Sequence, residues 1–196
     1  MNIALIVILV AVVGLAAYVI GLYNTLQRLK TQITAAIQEI GNQLKRQASL
    51  IPNLMASVKG YLDHEKGIFD KLTAARTTAA KASASNSPAD LDKAIASMQS
   101  LIPDIKVLVE DNPELQANTT VMKFMDELTD TSDKLMYSRR TVIDLTQQFN
   151  EKLVVFPSNI IAGMFGFTAE KGLVMPAEGE HLEVSAQETK DVKVEL

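Results

Sequence analysis

The run Ile3–Leu22, IALIVILVAVVGLAAYVIGL, contains twenty residues, of which only Gly14 and Gly21 fall outside the hydrophobic set. A helix rises about 1.5 Å per residue, so this run spans about 30 Å, the thickness of the hydrocarbon core of a bilayer. It contains no charged side chain, whose burial in lipid is costly. The run therefore predicts a transmembrane anchor over residues 1–22.

A cleaved secretory signal is the competing interpretation of this run. Such a signal has a basic segment, an apolar stretch of about 7 to 15 residues and a small-residue cleavage site. Met1 and Asn2 carry no Lys or Arg, the apolar run is longer, and no clear cleavage site precedes Tyr23. We therefore expect an uncleaved anchor.

Basic residues follow the anchor, and none precedes it. Arg28 and Lys30 come close behind the run, and Lys45 and Arg46 come a little later. Because cytoplasmic flanks carry the excess of Lys and Arg, we expect the N-terminus outside and the C-terminal domain in the cytoplasm.

The composition of the 196-residue chain excludes several classes of protein. It has no Cys, which rules out a disulfide scaffold, a thiolate zinc site and a Cys nucleophile. Thr168–Leu196 carries seven acidic against three basic residues, which accounts for the whole net charge of −4. The remaining Lys and Arg alternate with carboxylates at helical spacings, as on a solvated face, so we expect no nucleic-acid partner.

The segment after the anchor has the apolar spacing of helices. From Leu26 the steps are mostly three and four, close to the heptad of a coiled coil, which predicts a first helix over residues 23–82. Pro52 predicts a kink or break near residues 50–53, and Gly60 is a second weak point.

Three further helices are predicted. Ser87 and Pro88 are typical of a helix start, which gives a second helix over Pro88–Asp111 with its apolar stripe interrupted at Pro103. A third helix, capped by Asn118 or a neighbouring Thr, covers Thr119–Leu153. A short fourth helix follows over Ser158–Gly166, docked on the bundle, with contact to the membrane surface as the alternative.

These elements predict an all-α protein in three parts. An N-terminal transmembrane helix (residues 1–22) precedes an antiparallel cytoplasmic bundle of three long helices plus a short fourth helix (residues 23–167). The acidic tail, residues 168–196, is rich in Gly, Pro, Ser and Thr and is expected to be mostly disordered.

Several blocks between Tyr23 and Phe167 resemble the LemA family of membrane-anchored bacterial proteins. They are Tyr23-Asn24-Thr25-Leu26, Gln43-Leu44-Lys45-Arg46, Leu50-Ile51-Pro52-Asn53-Leu54, Val58-Lys59-Gly60-Tyr61 with His64-Glu65, Asn112-Pro113-Glu114-Leu115-Gln116-Ala117-Asn118, Phe149-Asn150, Phe156-Pro157-Ser158-Asn159 and Gly166-Phe167. The resemblance implies an N-terminal transmembrane helix that starts outside the bacterial inner membrane, a helical bundle inside, and no established enzymatic activity.

The chain departs from the family pattern at two places. The family usually has a Trp near Ala36-Ile37 and a Tyr-Asn pair near Ile143-Asp144, and this chain has neither. Binding roles of those positions in relatives are therefore not transferred to this chain.

Motifs that carry chemistry are sparse. His64-Glu65 begins like a zinc-protease helix, but position 68 is Ile where the second His is required. With only His64 and His181 in the chain, a multi-His metal site within one subunit is excluded. Arg139-Arg140 is more typical of helix-surface salt bridges than of a binding site for an anionic partner or lipid headgroup. We expect no catalytic residue, no cofactor and no metal.

The predicted helix lengths leave one apolar stripe without a partner. A first helix of about 90 Å is covered by a second helix of about 36 Å only as far back as Val58, and a third helix that runs outward again need not cover the rest. We therefore expect the stripe to associate with copies of the chain or with another membrane protein, because each exposed side chain forgoes about 1.5 to 3 kcal/mol of burial. The stripe consists of Leu26, Leu29, Ile33, Ile37, Ile40 and Leu44. The alternative is that the chain folds back at Pro52 and covers its own stripe.

Two functions remain in competition on the sequence. The first is a non-enzymatic membrane-anchored scaffold that works by helix packing and self-association as a homo-oligomer in the bilayer. The second is an adaptor or regulator of another membrane protein complex, with a membrane metalloprotease system as the suggested case because relatives are encoded near such enzymes. An enzyme is the least favoured interpretation.

Overall fold

The structure, a computed structural model, describes residues 2–59 and 66–173. Within these residues the chain forms helices and no strand, which confirms the predicted all-α class with a long apolar N-terminal helix. The helices are α1 (Ile3–Val58), α2 (Lys66–Ser85), α3 (Pro88–Asp111), α4 (Pro113–Ala117), α5 (Thr119–Val154) and α6 (Ser158–Met164).

α1 is one continuous helix of 56 residues that includes the apolar run and the first core helix of the bundle. It passes through Pro52, so the break expected there is wrong. Proline removes a backbone hydrogen bond from a helix interior. Here Ile51, Leu54 and Val58 are buried around that point, and their packing outweighs the lost bond.

The predicted first helix over residues 23–82 is two helices. α1 ends at Val58, and α2 begins at Lys66 and returns along α1. At the end of α2 the chain passes so close to α1 that a Cβ on Gly41 would lie 2.9 Å from Oδ1 of Asn86, the residue after α2. The interval between the helices contains Gly60, the second predicted weak point, which lies outside the described residues together with His64.

The turn from α2 to α3 needs a left-handed residue, and Asn86 supplies it with φ of 49°. Next to it, Oγ of Ser85 accepts a hydrogen bond from the N–H of Ser87 (3.3 Å) and contacts Asp90 (2.9 Å). α3 begins and ends at the predicted residues, but it passes through Pro103 without interruption.

The connection from α3 to α5 contains the five-residue helix α4, which the sequence did not predict. Asn118 caps α5 as expected, because its Oδ1 accepts hydrogen bonds from the N–H groups of Thr120 (3.0 Å) and Val121 (3.3 Å). α5 ends one residue beyond the predicted Leu153, and α6 covers most of the predicted short fourth helix.

Four of the helices form an up-down-up-down bundle. α1 runs away from the apolar run, α2 returns, α3 runs outward again, and α5 returns along α1. Ion pairs cross between the antiparallel neighbours, from Lys71 to Asp104 (2.6 Å) and from Arg46 to Glu127. The bundle therefore has one more long helix than the sequence predicted, and this changes the direction of its last helix.

The buried apolar side chains form two clusters. The distal cluster fills the four-helix part of the bundle, with Ile40, Ile51, Leu72, Ile95 and Leu135 among its members. The proximal cluster lies beside the apolar run, where α1, α5 and α6 meet. It consists of Leu26, Leu29, Ile33, Phe149 and Ala162.

Candidate functional site

The six-residue stripe predicted as an association surface lies inside the chain. Leu26, Ile40 and Leu44 have no exposed surface, Ile33 is 3% exposed, Leu29 is buried and Ile37 is half-buried. The expectation that this stripe lacks a partner is wrong. The expectation failed because the chain reverses after Val58. The added helix α2 makes α5 return toward the apolar run instead of running away from it.

α5 and α6 supply the side chains that cover the stripe. Phe149 of α5 and Ala162 of α6 share the proximal cluster with Leu26, Leu29 and Ile33. The alternative prediction, in which the chain folds back at Pro52 and covers its own stripe, is correct in part. The chain does cover the stripe, but it reverses after Val58, and the covering helix is α5. The half-buried Leu145 and Leu153 extend this contact along α5.

A group of aromatic rings closes the end of the proximal cluster nearest the apolar run. The ring of Tyr23, one residue past Leu22, lies 4.9 Å from that of Phe165 and 5.8 Å from that of Phe167, between centroids. Phe167 in turn meets Phe149 edge-on at 6.2 Å. Such tilted pairs are favourable beyond their buried area. They hold α6 against α1, so the predicted docking of this short helix is confirmed.

Residues 167–173 form an extended strap that runs back over α1 and α5. The side-chain amide of Asn150 makes two 2.9 Å hydrogen bonds with the backbone of Glu170, one donated and one accepted. Lys30 of α1 forms an ion pair with the Glu170 carboxylate at 3.1 Å, and Leu173 is buried. Within the tail that was predicted to be mostly disordered, residues 168–173 are therefore ordered, and residues 174–196 lie outside the described residues.

The strap is the part of this site that sequence reasoning missed. Its composition is that of a polar tail, with a single large apolar residue, Leu173, after Phe167. Its order depends on Asn150, twenty residues earlier, and on Lys30, and no local pattern connects these positions. The one sequence signal for the strap was Asn150, which belongs to the Phe149-Asn150 block that resembles the LemA family.

An open groove lies between α1 and α5 on the outer surface of the bundle. Its lining combines carboxylates with amide and hydroxyl groups and consists of Glu39, Gln43, Asp130, Asp133, Lys134, Tyr137 and Ser138. Tyr137 is 76% exposed in a helix whose other large side chains mostly face the core. Lys134 is paired with Asp130 at 2.7 Å, so the lining keeps an excess of negative charge.

Ion pairs hold the helices that form this groove. Glu127 raises the pKa of Arg46, first through the side-chain hydrogen bond and then through its charge. Arg139 is buried and pairs with Asp92 at 3.0 Å, which links α5 to α3. Arg140 pairs with Asp144 at 3.9 Å along the helix. The predicted helix-surface salt bridge is confirmed for Arg140, whereas Arg139 is buried and its salt bridge crosses to another helix.

Two observations bear on metals and membranes. Among residues 2–59 and 66–173, no three His, Asp or Glu side chains are grouped as a metal site. In the same residues α1 is the one helix long and apolar enough to cross a membrane, and no part of that apolar window is buried in the protein. The N-terminal part of α1 is therefore compatible with a membrane anchor.

Comparison with known proteins gives a family for the chain. The model of the LemA family matches residues 36–194. A protein named Protein LemA, from Metamycoplasma hominis, is 25% identical over 144 residues, which is 73% of this chain and 64% of that relative. This chain therefore aligns with less than two thirds of the relative's length. LemA is not a known enzyme family. Because the family model covers most of the chain, including the strap and all of the bundle from residue 36 onward, the protein belongs to the LemA family.

Proposed function

We propose that this protein is a non-enzymatic scaffold, anchored in the bacterial inner membrane, that presents a rigid helical bundle to other proteins. The observation that carries the proposal is the continuity of α1, which runs as one helix from Ile3 to Val58. The apolar run and the first helix of the bundle are the same rigid element, with no flexible linker between them. The bundle is thus held at a fixed height and orientation relative to the anchor.

The dimensions of the bundle support this role. The 36 residues of α1 beyond Leu22 project about 54 Å from the anchor, and α5, also of 36 residues, returns over the same length. α6 and the strap pack against the near end of these two helices, so the stalk closest to the anchor is braced on several sides. Such a stalk keeps the bundle in a fixed position relative to the anchor, as a scaffold requires.

The groove around Tyr137 is the surface that we propose for a protein partner. It combines an exposed aromatic ring with an acidic lining, a composition that suits a partner with a basic face. The six-residue stripe is no longer part of this proposal, because it is buried within one chain. Self-association, if it contributes to the scaffold, uses other surfaces.

The test is photo-crosslinking in native membranes with p-benzoylphenylalanine in place of Tyr137. We expect one protein or a small set to be captured, and we expect the capture to fall strongly when Asp133→Lys is added. The matched control is Asp111→Lys, which makes the same charge change on an exposed residue at the far end of α3. Equal capture in both variants, or no protein adduct, contradicts the proposal.

The identity of the captured protein separates the two functional hypotheses. Adducts with several unrelated membrane proteins or with a second copy of the chain support a general scaffold. A single heterologous complex that is lost with Asp133→Lys instead supports the adaptor hypothesis, and a membrane metalloprotease in that position would favour the suggested system.

A further inference from the structure

The exposed apolar side chains outside the span are unevenly distributed. Six of them lie together at the end of α5, in the turn that follows, and on α6; we call them the α6 patch. They are Val154, Val155, Phe156, Ile160, Met164 and Phe165. Val154, Phe156 and Met164 are each more than 70% exposed. The other large exposed apolar residues of the described bundle are scattered over different helices, whereas a contiguous patch of this kind usually marks an interaction surface.

The direction of α5 gives the height of the α6 patch above the apolar run. Phe149 packs in the same cluster as Leu26, and α5 runs antiparallel to α1. From Phe149 to Val154 the helix advances about 7.5 Å further toward the run. Val154 and the turn after it therefore lie at about the height of Gly21 and Leu22, where the apolar run ends.

Aromatic contact gives the same height independently. Tyr23 follows the apolar run directly, and its ring lies 4.9 Å from that of Phe165 at the end of α6. Both ends of α6 are therefore beside the boundary of the run. Tyr side chains favour that boundary in membrane proteins because the ring is apolar and its hydroxyl group is polar.

One face of α6 is well packed, so the exposed side chains on its other face do not result from loose docking of the helix. Ile161 and Ala162 are buried against the bundle, whereas Ile160 and Met164, four residues apart, share the opposite, exposed face. A short surface helix in water normally carries polar side chains on its outer face. The large side chains of α6 are apolar on both faces, which suits an element with protein on one side and lipid on the other.

The charges near the patch suit a bilayer surface. Lys152 lies in the last turn of α5, two residues before the patch, and Arg28 is exposed on α1 two turns beyond the run. Basic side chains next to an apolar face strengthen binding to anionic headgroups. Glu151 is also exposed here, so the apolar area, and not the net charge, carries the argument.

We propose that the α6 patch inserts into the interfacial layer of the same bilayer that the apolar run crosses. The occupant of the patch is lipid, and the patch is continuous with the span through Tyr23 and Phe165. The protein then holds the membrane by two elements, a spanning helix and an interfacial helix, which fixes the tilt of the bundle. This inference rests on the proposed membrane anchor.

The absence of Cys from the chain makes a labelling experiment direct. Single-Cys variants Ile160→Cys and Met164→Cys of the full chain carry a nitroxide label in vesicles of phosphatidylcholine and phosphatidylglycerol. Collisions with oxygen, which concentrates in lipid, and with a water-soluble nickel chelate measure the depth of each label. We expect both labels about 5 to 10 Å into the boundary between headgroups and acyl chains, as for other interfacial helices.

Two reference positions separate failure of this inference from failure of the anchor. A label at Val10→Cys gives the accessibilities expected inside the bilayer, and a label at Tyr137→Cys gives those expected in water. If labels at 160 and 164 are as accessible to nickel as the label at 137 while the label at 10 is in lipid, the interfacial inference is wrong and the anchor stands. If the label at 10 is also in water, the anchor itself fails.

A second copy of the chain is the other possible occupant, and the same labels detect it. Spin-spin broadening at 160 and 164 that disappears on dilution with unlabelled protein would overturn the proposal in favour of a dimer contact. As a further check, Ile160→Asp should move a label at 164 out of the lipid without moving the label at 10. Asn159→Asp, the same charge on the neighbouring exposed residue, should leave the label at 164 in lipid.

Discussion

At the residue scale, the proximal cluster depends on a few large side chains. Phe149 is fully buried and contacts both the α1 stripe and the strap through Phe167. The cluster contains five buried residues, far fewer than the distal cluster. Within this small cluster, a single aromatic ring of α5 therefore supplies much of the packing against α1.

Phe149→Ala should destabilise the protein by about 3 to 5 kcal/mol, because it removes a buried ring and leaves a cavity. Denaturant unfolding of the full chain in detergent, followed by circular dichroism, measures the loss. Tyr137→Ala is the matched control, since it deletes an exposed aromatic ring of the same helix and should change the free energy of unfolding by about 0.5 kcal/mol or less. Equal losses in the two variants would contradict the described core.

At the element scale, the path of α5 decides what the stripe contacts. α1 alone presents Leu26 to Leu44 as an apolar face, and nothing local says whether another chain or another part of the same chain covers it. The ion pair from Arg46 to Glu127 and the packing of Phe149 on Leu26 place α5 antiparallel along this face. The exposed stripe is therefore a property of the isolated helix and not of the protein.

A photo-crosslinker at Ile37 distinguishes these cases. Ile37 is half-buried and packs beside both clusters, so the substitution is tolerated better than one at a fully buried position. We expect adducts within the same chain, between the tryptic peptides of α1 and α5. Adducts that join two chains and dominate over the internal ones would show that the stripe is an assembly surface after all.

At the scale of the whole molecule, the proposed topology rests on the basic residues that follow the apolar run and on the rigidity of α1. Arg28 and Lys30 are exposed just beyond the apolar run, and Lys30 also holds the strap through Glu170. A bundle fixed to the span cannot cross to the other side without the span itself reversing. The orientation of one helix thus determines which compartment the groove around Tyr137 faces.

Labelling of single cysteines in intact spheroplasts tests this orientation. A membrane-impermeant maleimide should label Asn2→Cys from outside and should label Tyr137→Cys only after the membrane is opened. The reason is that the positive flank stays in the cytoplasm. The reverse pattern would place the bundle outside and overturn the proposed localisation.

Local sequence determined most of the helices. The sequence predicted the apolar N-terminal helix, the start and end of α3, the cap of α5 at Asn118 and the short α6. Each of these depends on propensity, capping or apolar spacing within a few residues. The proline positions show the limit of such rules. Pro52 and Pro103 both lie inside continuous helices, since buried neighbours compensate for the lost hydrogen bond.

Tertiary structure alone decided where the chain reverses and what covers the stripe. The reversal after Val58 adds a helix, and each added helix inverts the direction of every later one. Because the sequence prediction missed this reversal, it gave α5 the wrong direction along the bundle. The strap likewise depends on Asn150 and Lys30, which are remote in sequence from Glu170. Apolar spacing predicts which face of a helix is buried, but the element that covers that face is determined by the path of the whole chain.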